Sequence, residues 1–210
     1  KNTKSEKAKD GFSFIITKAP KDLDKIAGFN ASSKIQNKAN AHNVSIFMAG
    51  GVSPEFRKNL KSELILNSGT DFYVKKKFKN VLFIDVNSAK GGIRPQNPEQ
   101  WKWLKDDLNN STEDHIILML PTPIFGPAGF KDPLEADLLH EILVETSEKG
   151  KSIWVVHGGS STKTNLKDGI RYIQYDNRKV VDPKGVKAID AIEFVVNGKN
   201  ITYQINPIFK

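Results

Sequence analysis

The chain has 210 residues, a formal net charge of +8 at pH 7 and no cysteine. The missing cysteines exclude disulfide bridges and thiolate metal sites. No run of about 18 apolar residues is present, so the sequence predicts no membrane-spanning helix.

Length and composition are those of a globular protein, since hydrophobic residues make up 38% of the chain and charged residues 27%. We expect a single domain over residues 11–210, preceded by a linker or disordered end over residues 1–10. The chain opens on Lys1 rather than Met and shows no signal-peptide pattern. We interpret it as a mature fragment or an excised domain.

Lysine is spread along the chain, and its densest group is Lys75–Lys77 with Lys79 just after. These lysines lie between two apolar runs, as in the tip of a hairpin. A basic tip could contact an anionic polymer such as a wall polyanion, and a nucleic-acid surface is the further alternative. Because the lysines are not clustered with aromatic residues, we expect them mainly to solvate the surface, and we rank nucleic acid last.

Short apolar runs predict three strands in the first half of the chain. Between the first two, residues 21–43 are polar with sparse apolar positions and predict one or two short surface helices. Another helix begins with Ser53 as N-cap and Pro54 at its first position, with Leu60, Leu64 and Ile65 on its inner face. The predicted strands are Phe12–Thr17, Val44–Met48 and Val81–Val86.

Two longer helices are predicted in the second half. The first covers Gln96–Leu108, where Asn97 can cap the helix and Trp101 lies on the buried face. We expect Trp101 and Trp103 to serve core and partial surface packing rather than ligand stacking. The second begins at Asp132 and Pro133 and ends before Gly150. Its predicted buried stripe is Leu134, Leu138, Leu139, Ile142 and Leu143, with His140 half-exposed on the same helix.

The remaining apolar runs predict buried strands and a closing hairpin. A strand over His115–Leu120 precedes the second of those helices, and another over Ile153–Val156 follows it. The latter ends in a turn rich in glycine and serine, His157–Ser161. A further strand after Asp168-Gly169 carries Ile170, Tyr172 and Ile173. The dipeptide Asn197-Gly198 predicts the turn of the terminal hairpin.

Two stretches carry a family resemblance: the helix QNPEQWKWLKDDL and the strand–loop–strand HGGSSTKTNLKDGIRYI. Together with the order of elements, they resemble the calcineurin-like metallophosphoesterases. The resemblance implies an α/β fold, a four-layer α-β-β-α sandwich in which two mixed β-sheets are flanked by helices. It covers essentially the whole chain and is strongest from Val81 to Tyr175.

The family's metal-binding motifs are replaced at each corresponding position. Lys18 and Pro20 follow the first strand in place of Asp-x-His, and Gly50-Gly51 replaces Gly-Asp. No Asn-His pair is present in residues 67–71. Pro121-Thr122-Pro123 replaces His-x-Pro, and Gly159 and Ser161 occupy the histidine positions of Gly-His-x-His. We therefore expect a degenerate member with no metal ligands, no catalytic residues and no cofactor.

Of the four histidines, only His157 is expected near the family's site, because His42 and His115 precede strands at the opposite end. Backbone amides of Gly158 and Gly159 could cradle a phosphate. The predicted binding residues are His157, Gly158, Gly159, Ser160, Ser161 and Thr122. A nucleophile–base pair of His157 with Ser160 or Ser161 is a further possibility, which the adjacent spacing disfavours.

From this pattern we expect a non-catalytic binding or scaffolding module of a larger, secreted or cell-wall-associated bacterial protein. The resemblance implies a neighbouring catalytic domain, such as a phosphodiester glycosidase, as partner. A sugar phosphate or an anionic wall polymer is the expected ligand. The alternative is an active hydrolase with a rearranged site that uses His157 with Asp85 or Asp168.

Overall fold

The computed structural model describes residues 11–19, 31–48, 50–69, 73–176 and 189–208. The expected linker at residues 1–10, any helix in residues 21–30, and Pro20 lie outside the described residues. The described elements, in chain order, are β1 (Phe12–Lys18), α1 (Ala31–Ala39), β2 (Val44–Met48), α2 (Pro54–Lys58), β3 (Leu64–Asn67), β4 (Tyr73–Phe78), β5 (Val81–Val86), α3 (Ile93–Gln96), α4 (Glu99–Asn110), β6 (His115–Leu120), α5 (Pro133–Glu148), β7 (Ser152–Gly159), β8 (Lys163–Lys167), β9 (Ile170–Asp176), β10 (Asp190–Asn197) and β11 (Asn200–Pro207).

The strands form two mixed sheets. Sheet A has five strands in the order β11-β10-β1-β2-β3, and sheet B has six in the order β4-β5-β6-β7-β9-β8. Strands β1, β2 and β3 run parallel, as do β5, β6, β7 and β9, while the other strands pair antiparallel with their neighbours. The mixed sheets predicted from the sequence are therefore confirmed.

Three apolar clusters set the order of the layers. The first lies between the two sheets, where the ring of Phe14 stacks on Phe194 with centroids 4.4 Å apart and meets Phe83 edge-on at 5.2 Å. The second packs sheet B against α4 and α5, and the third packs sheet A against α1 and α2. The order helix, sheet, sheet, helix follows, as the resemblance implied.

Helix α5 has the predicted cap, and its buried face is shifted from the predicted one. The Asp132 side chain accepts a hydrogen bond from the Leu134 amide, and Pro133 occupies the first turn. The predicted stripe is partly wrong, because Leu134 is 76% exposed and Leu138 is 39% exposed. Leu139 and Leu143 of the stripe are buried as predicted, and Ala136 and His140 complete the buried face.

Helix α2 is shorter than predicted, and α4 begins three residues later and ends two residues later than predicted. The Ser53 hydroxyl accepts from the Phe56 amide, which confirms the N-cap. The inner face predicted beyond it is wrong, since Leu64 begins β3 and pairs in parallel with Val44 of β2. The Asn97 carboxamide accepts from the Glu99 amide at 3.1 Å, so Asn97 does cap α4, although it is itself extended and separates α3 from α4.

The dense lysine group does not form a hairpin tip. Lys75, Lys76 and Lys77 lie within β4, and the turn to β5 is made by Lys79 and Asn80. Lys75 forms an ion pair with Asp107 of α4, and Lys77 Nζ lies 2.6 Å from Glu113 Oε1. These two ion pairs therefore connect β4 to helix α4 and to the segment just before β6. The terminal hairpin between β10 and β11 turns at Gly198, as predicted.

No helix among the described residues is long and apolar enough to cross a membrane.

Trp101 and Trp103 are used in packing as expected. Trp101 is buried and donates from Nε1 to Glu135 Oε1 at 2.7 Å. Trp103 is 39% exposed and lies against the ring of Tyr73, with centroids 5.6 Å apart.

A buried carboxylate joins sheet A to α1 and predicts an acid-dependent stability. Glu193 of β10 lies 2.7 Å from Lys38 Nζ and 3.0 Å from His42 Nε2, and it accepts from Asn206. Burial raises the pKa of Glu193, but the hydrogen bonds from His42, Lys38 and Asn206 outweigh it and lower the pKa from 4.5 to about 2. Since the folded-state pKa is depressed, this stabilisation is present above pH 4.5 and is lost as the pH falls towards 2.

We expect wild type to exceed Glu193→Gln in free energy of unfolding by on the order of 2 kcal/mol at pH 6, after allowance for solvent screening around the partly exposed Lys38. The difference should shrink steadily from pH 4.5 to about pH 2, the range set by the two pKa values. Urea unfolding of both proteins across this range measures it. A difference that stays constant throughout this acid range would contradict the assigned role of Glu193.

Candidate functional site

The carboxyl ends of the parallel strands of both sheets meet at one end of the sandwich. At this end Ser68, just after β3, contacts Asp85 of β5, and the Tyr175 hydroxyl of β9 donates to the Asp190 carbonyl of β10. The carboxyl ends of parallel strands are where α/β proteins place ligands. Lys18, Thr122 and Gly158–Ser161 all follow or end strands here, as the sequence predicted.

Asp85 provides the carboxylate that faces the space between the sheets at this end. It is 3% exposed. Its Oδ1 accepts from the Ser68 hydroxyl at 2.7 Å, and its Oδ2 accepts from the Gly69 amide at 2.9 Å. Because Ser68 and Gly69 follow β3 of sheet A and Asp85 belongs to sheet B, the carboxylate ties the two sheets together.

The described neighbours of Asp85 between the sheets are apolar side chains. Met119 lies beside Asp85 in the strand register and opposite Val156 on the other side. Both belong to the cluster between the sheets, together with Met48 and Ile16 from sheet A, and all four are at most 2% exposed. Burial also raises the pKa of the Tyr175 hydroxyl above its usual value. Among the described residues, the inward-facing positions next to Asp85 are therefore part of the core.

These residues do not fit a pair of metal ions. A dinuclear hydrolytic site needs a bridging carboxylate and several imidazole, amide or carboxylate ligands around two cations. In the ranges that the structure describes, no group of three or more His, Cys, Asp or Glu side chains could hold a metal ion. Asp85, the carboxylate at this place, already accepts two hydrogen bonds from sheet A.

Gly158 and Gly159 belong to β7 rather than to the predicted turn. They pair in parallel with Tyr175 and Asp176 of β9. A Cβ atom at Gly159 would lie 2.3 Å from Cδ of Gln174. The glycine thus allows the close approach of Gln174, whose Nε2 donates to the Ser161 carbonyl at 2.8 Å. The predicted role of this segment in binding an anion stays a prediction.

The Thr122 hydroxyl is engaged in the loops that follow β5 and β6. It lies 2.7 Å from the Ser88 hydroxyl and donates to the Ser88 carbonyl at 3.3 Å. Ser88 is fully buried. Thr122 therefore holds the two loops together at the strand ends, and its contact with a ligand stays a prediction as well.

His157 faces the helix side of sheet B. Its side chain alternates with Trp154 and Val156, which face the other sheet, and only 8% of it is exposed. Nδ1 donates to the Gly158 carbonyl at 3.0 Å, which makes Nε2 the acceptor nitrogen. Burial lowers the pKa of His157, and the nearby Lys163 ammonium lowers it further. The imidazole is accordingly neutral at pH 7.

A cleft of about 360 Å³ opens beside His157, on the outer face of sheet B. Its lining comes from the loop after β6, the end of β7, the edge strand β8 and the facing positions of β9. The sequence did not predict β8, because Lys163–Lys167 is polar except for Leu166 and lacks the alternation that marks a half-buried strand. The lining residues are Pro123, Ile124, Phe125, His157, Lys163, Thr164, Asn165, Lys167, Tyr172 and Gln174.

His140 is buried, and its predicted half-exposed position is wrong. It is 7% exposed, with Nε2 2.9 Å from Asp168 Oδ2 and Nδ1 2.7 Å from the Tyr172 hydroxyl. With Nε2–H donating to the carboxylate, Nδ1 can accept a hydrogen bond from the Tyr172 hydroxyl. The helical spacing of His140 could not indicate these two partners, because both lie in the β8–β9 hairpin, far along the chain.

The residues considered for a rearranged hydrolase are not brought together. Asp168 is hydrogen-bonded to His140, and Asp85 accepts from Ser68 at the end of sheet A. His157 donates to the carbonyl of its neighbour Gly158. No hydrogen bond within the described part of the chain joins His157 to Ser160 or Ser161. The two remaining histidines lie at the amino ends of strands, as predicted: His115 donates to the Gly198 carbonyl and His42 contacts Glu193.

Comparison with known proteins gives structural matches only. Neither a family model nor a curated protein matches the sequence. A hypothetical protein from Thermus thermophilus aligns with a TM-score of 0.51 and 11% identity, over 93% of this chain and 99% of that one. A predicted phosphoesterase from Streptococcus pneumoniae gives 0.44 and 6%, over 96% and 92%, and Vps29 of Chaetomium thermophilum gives 0.41 and 6%, over 93% and 95%.

At these identities the matches concern the fold alone. The Thermus thermophilus protein shares the arrangement of this chain, two mixed sheets packed face to face between helices, which is the architecture that the sequence resemblance implied. Within that fold, the described residues at the carboxyl ends of the strands do not provide a metal-binding group.

Proposed function

We propose that this chain is a non-catalytic domain of the phosphoesterase fold that acts by binding or scaffolding. The observation that carries the proposal is the packed end between the sheets, where Asp85 bridges Ser68 and Gly69 and Met119 fills the adjacent space. A hydrolytic metal site must keep an open coordination position for water and leave room for the scissile phosphate. The described residues at this place are buried or already hydrogen-bonded and include no group of metal ligands, which supports the proposal.

A larger context is part of the proposal. The resemblance favours a domain of a secreted or cell-wall-associated bacterial protein, next to a catalytic domain such as a phosphodiester glycosidase. The net charge of +8 supports contact with a sugar phosphate or an anionic wall polymer, since a positive protein attracts polyanions over long range. Domain partner, location and ligand all belong to this proposal.

Hydrolysis of bis(p-nitrophenyl) phosphate with added manganese tests the proposal. We expect no release of nitrophenolate above that of buffer with manganese. The rival function, a hydrolase rearranged around His157, would instead show metal-dependent turnover in wild type that disappears in His157→Ala. Such turnover would refute the non-catalytic assignment. An exposed-residue variant, Lys199→Gln, serves as the matched control for both outcomes.

A further inference from the structure

The cleft beside His157, which we call the β8 cleft, is separate from the packed end between the sheets. It lies on the helix side of sheet B, because the lining residues His157, Tyr172 and Gln174 alternate with Val156 and Ile173, which face sheet A. Its outer wall is β8, and its opposite wall is the loop of residues 123–125. A volume of about 360 Å³ falls within the roughly 300–1,000 Å³ of small-molecule sites.

The charge in the β8 cleft is positive. None of the described lining residues carries a carboxylate, whereas Lys163 and Lys167 both line the cleft. They share one face of β8 with Asn165, because side chains alternate along a strand. Across the part of the chain that the structure describes, neither lysine has a carboxylate oxygen within 4.0 Å of its ammonium. This contrasts with Lys75 and Lys77 of β4, which are both paired.

The two lysines serve different ends of the cleft. They start about 13 Å apart along the strand, at roughly 3.3 Å per residue, and so belong to its two ends. Lys167 Nζ lies over the ring of Phe125, 4.1 Å from its centroid. Lys163 lies beside His157 and pairs in the register with Gln174. Lys163 is therefore the lysine available to a bound anion.

Neutral hydrogen-bonding groups surround Lys163. The His157 Nε2 atom is an acceptor, since Nδ1 carries the proton. The side chains of Asn165 and Gln174 supply carboxamides to the same lining. An acceptor imidazole and carboxamides suit hydroxyl groups, which both donate and accept hydrogen bonds.

Aromatic rings line the end of the β8 cleft near Lys167. Phe125 and Tyr172 meet edge-on with centroids 6.0 Å apart, and Phe125 is half-buried. The Tyr172 hydroxyl is held by His140, so its ring is fixed in place. Such a pair offers an apolar surface against which the carbon face of a ring can pack.

We propose that the β8 cleft binds a small anionic carbohydrate, a sugar ring that carries a phosphate or carboxylate group. Lys163 contacts the anionic group, the acceptor His157 and the carboxamides of Asn165 and Gln174 contact hydroxyls, and Phe125 packs against the ring. The inference rests on the proposed function as a binding module, names its ligand class and places it on the outer face of sheet B.

Isothermal titration calorimetry with four probes tests the site: glucose 6-phosphate, glucuronate, glucose and inorganic phosphate. We expect at least one of the two acidic sugars to bind at one site per chain, and glucose and inorganic phosphate to bind about tenfold or more weakly. Which acidic sugar binds more tightly distinguishes a phosphate from a carboxylate ligand. In Lys163→Gln the affinity should fall about tenfold, the usual effect of losing one charged hydrogen bond.

Two controls keep the test specific. Lys163→Arg retains the charge and should restore most of the affinity, while Lys199→Gln, at the distant β10–β11 turn, should leave it unchanged. Both lysines are exposed, so folding of the variants is checked simply by thermal melting. The inference is overturned if no probe saturates at millimolar concentration, if Lys163→Gln binds as wild type does, or if inorganic phosphate alone matches the acidic sugars.

Failure of the inference is distinguishable from failure of the proposed function. Absence of binding together with absence of phosphodiester hydrolysis removes the carbohydrate site and leaves the non-catalytic assignment in place. Manganese-dependent hydrolysis together with Lys163-dependent sugar binding refutes the non-catalytic assignment and leaves the carbohydrate site in place.

Discussion

Replacing Asp85 by alanine should lower the free energy of unfolding by about 3 kcal/mol. The substitution leaves the buried Ser68 hydroxyl and the Gly69 amide without their acceptor, and each hydrogen bond to a charged group contributes about 1.5–3 kcal/mol. Ser68 is 1% exposed, so water cannot easily take the place of the carboxylate. Urea unfolding followed by circular dichroism measures the change.

The opposite result would identify a functional carboxylate. Catalytic and metal-binding groups commonly cost stability, and their replacement often stabilises the protein. Asp137→Ala, which removes an exposed carboxylate from α5, is the matched control and should stay within about 0.5 kcal/mol of wild type. If Asp85→Ala is as stable as this control or more stable than wild type, Asp85 is not the structural bridge between the two sheets.

The substitution Met119→Ala should destabilise the protein by about 3 kcal/mol. Met119 is 1% exposed, in the cluster between the sheets and next to Asp85 in the register. Truncating such a side chain loses its transfer free energy and leaves a cavity, which together amount to about 2–5 kcal/mol. Chemical denaturation provides the measurement.

An open cleft at the strand ends predicts a small effect of Met119→Ala on stability. If the ends of β5, β6 and β7 surrounded a solvent-filled site, Met119→Ala would cost little, as for an exposed side chain. Leu134→Ala is the matched control, since Leu134 is 76% exposed and its truncation should change stability by less than about 0.5 kcal/mol. Equal effects of the two substitutions would contradict the packed end.

Much of the fold could be predicted from local pattern. Continuous apolar runs such as Val81–Val86 and His115–Leu120 are buried on both faces, which is how central parallel strands appear in a sequence. Caps at Ser53 and Asp132 and the turn at Gly198 also act locally. Each of these signals depends on residues only a few positions apart, and each was confirmed.

What the sequence could not provide depends on partners far along the chain. Leu64–Asn67 forms a strand because it pairs with β2, although its leucines suit the face of a helix. His140 is buried because Tyr172 and Asp168, which lie 32 and 28 positions later, reach it. Strand β8 has no apolar pattern of its own and exists through its pairing with β9. The β8 cleft, built from these long-range contacts, was therefore missed, except for His157.

The most direct test of the account is the stoichiometry of manganese binding to the whole protein, measured by equilibrium dialysis with elemental analysis. We predict no stoichiometric binding, with manganese close to the level of a control dialysis without protein, and no change on Asp85→Asn. Two manganese ions bound per chain, with loss of at least one in Asp85→Asn, would show that the strand ends hold metal after all and would contradict the account.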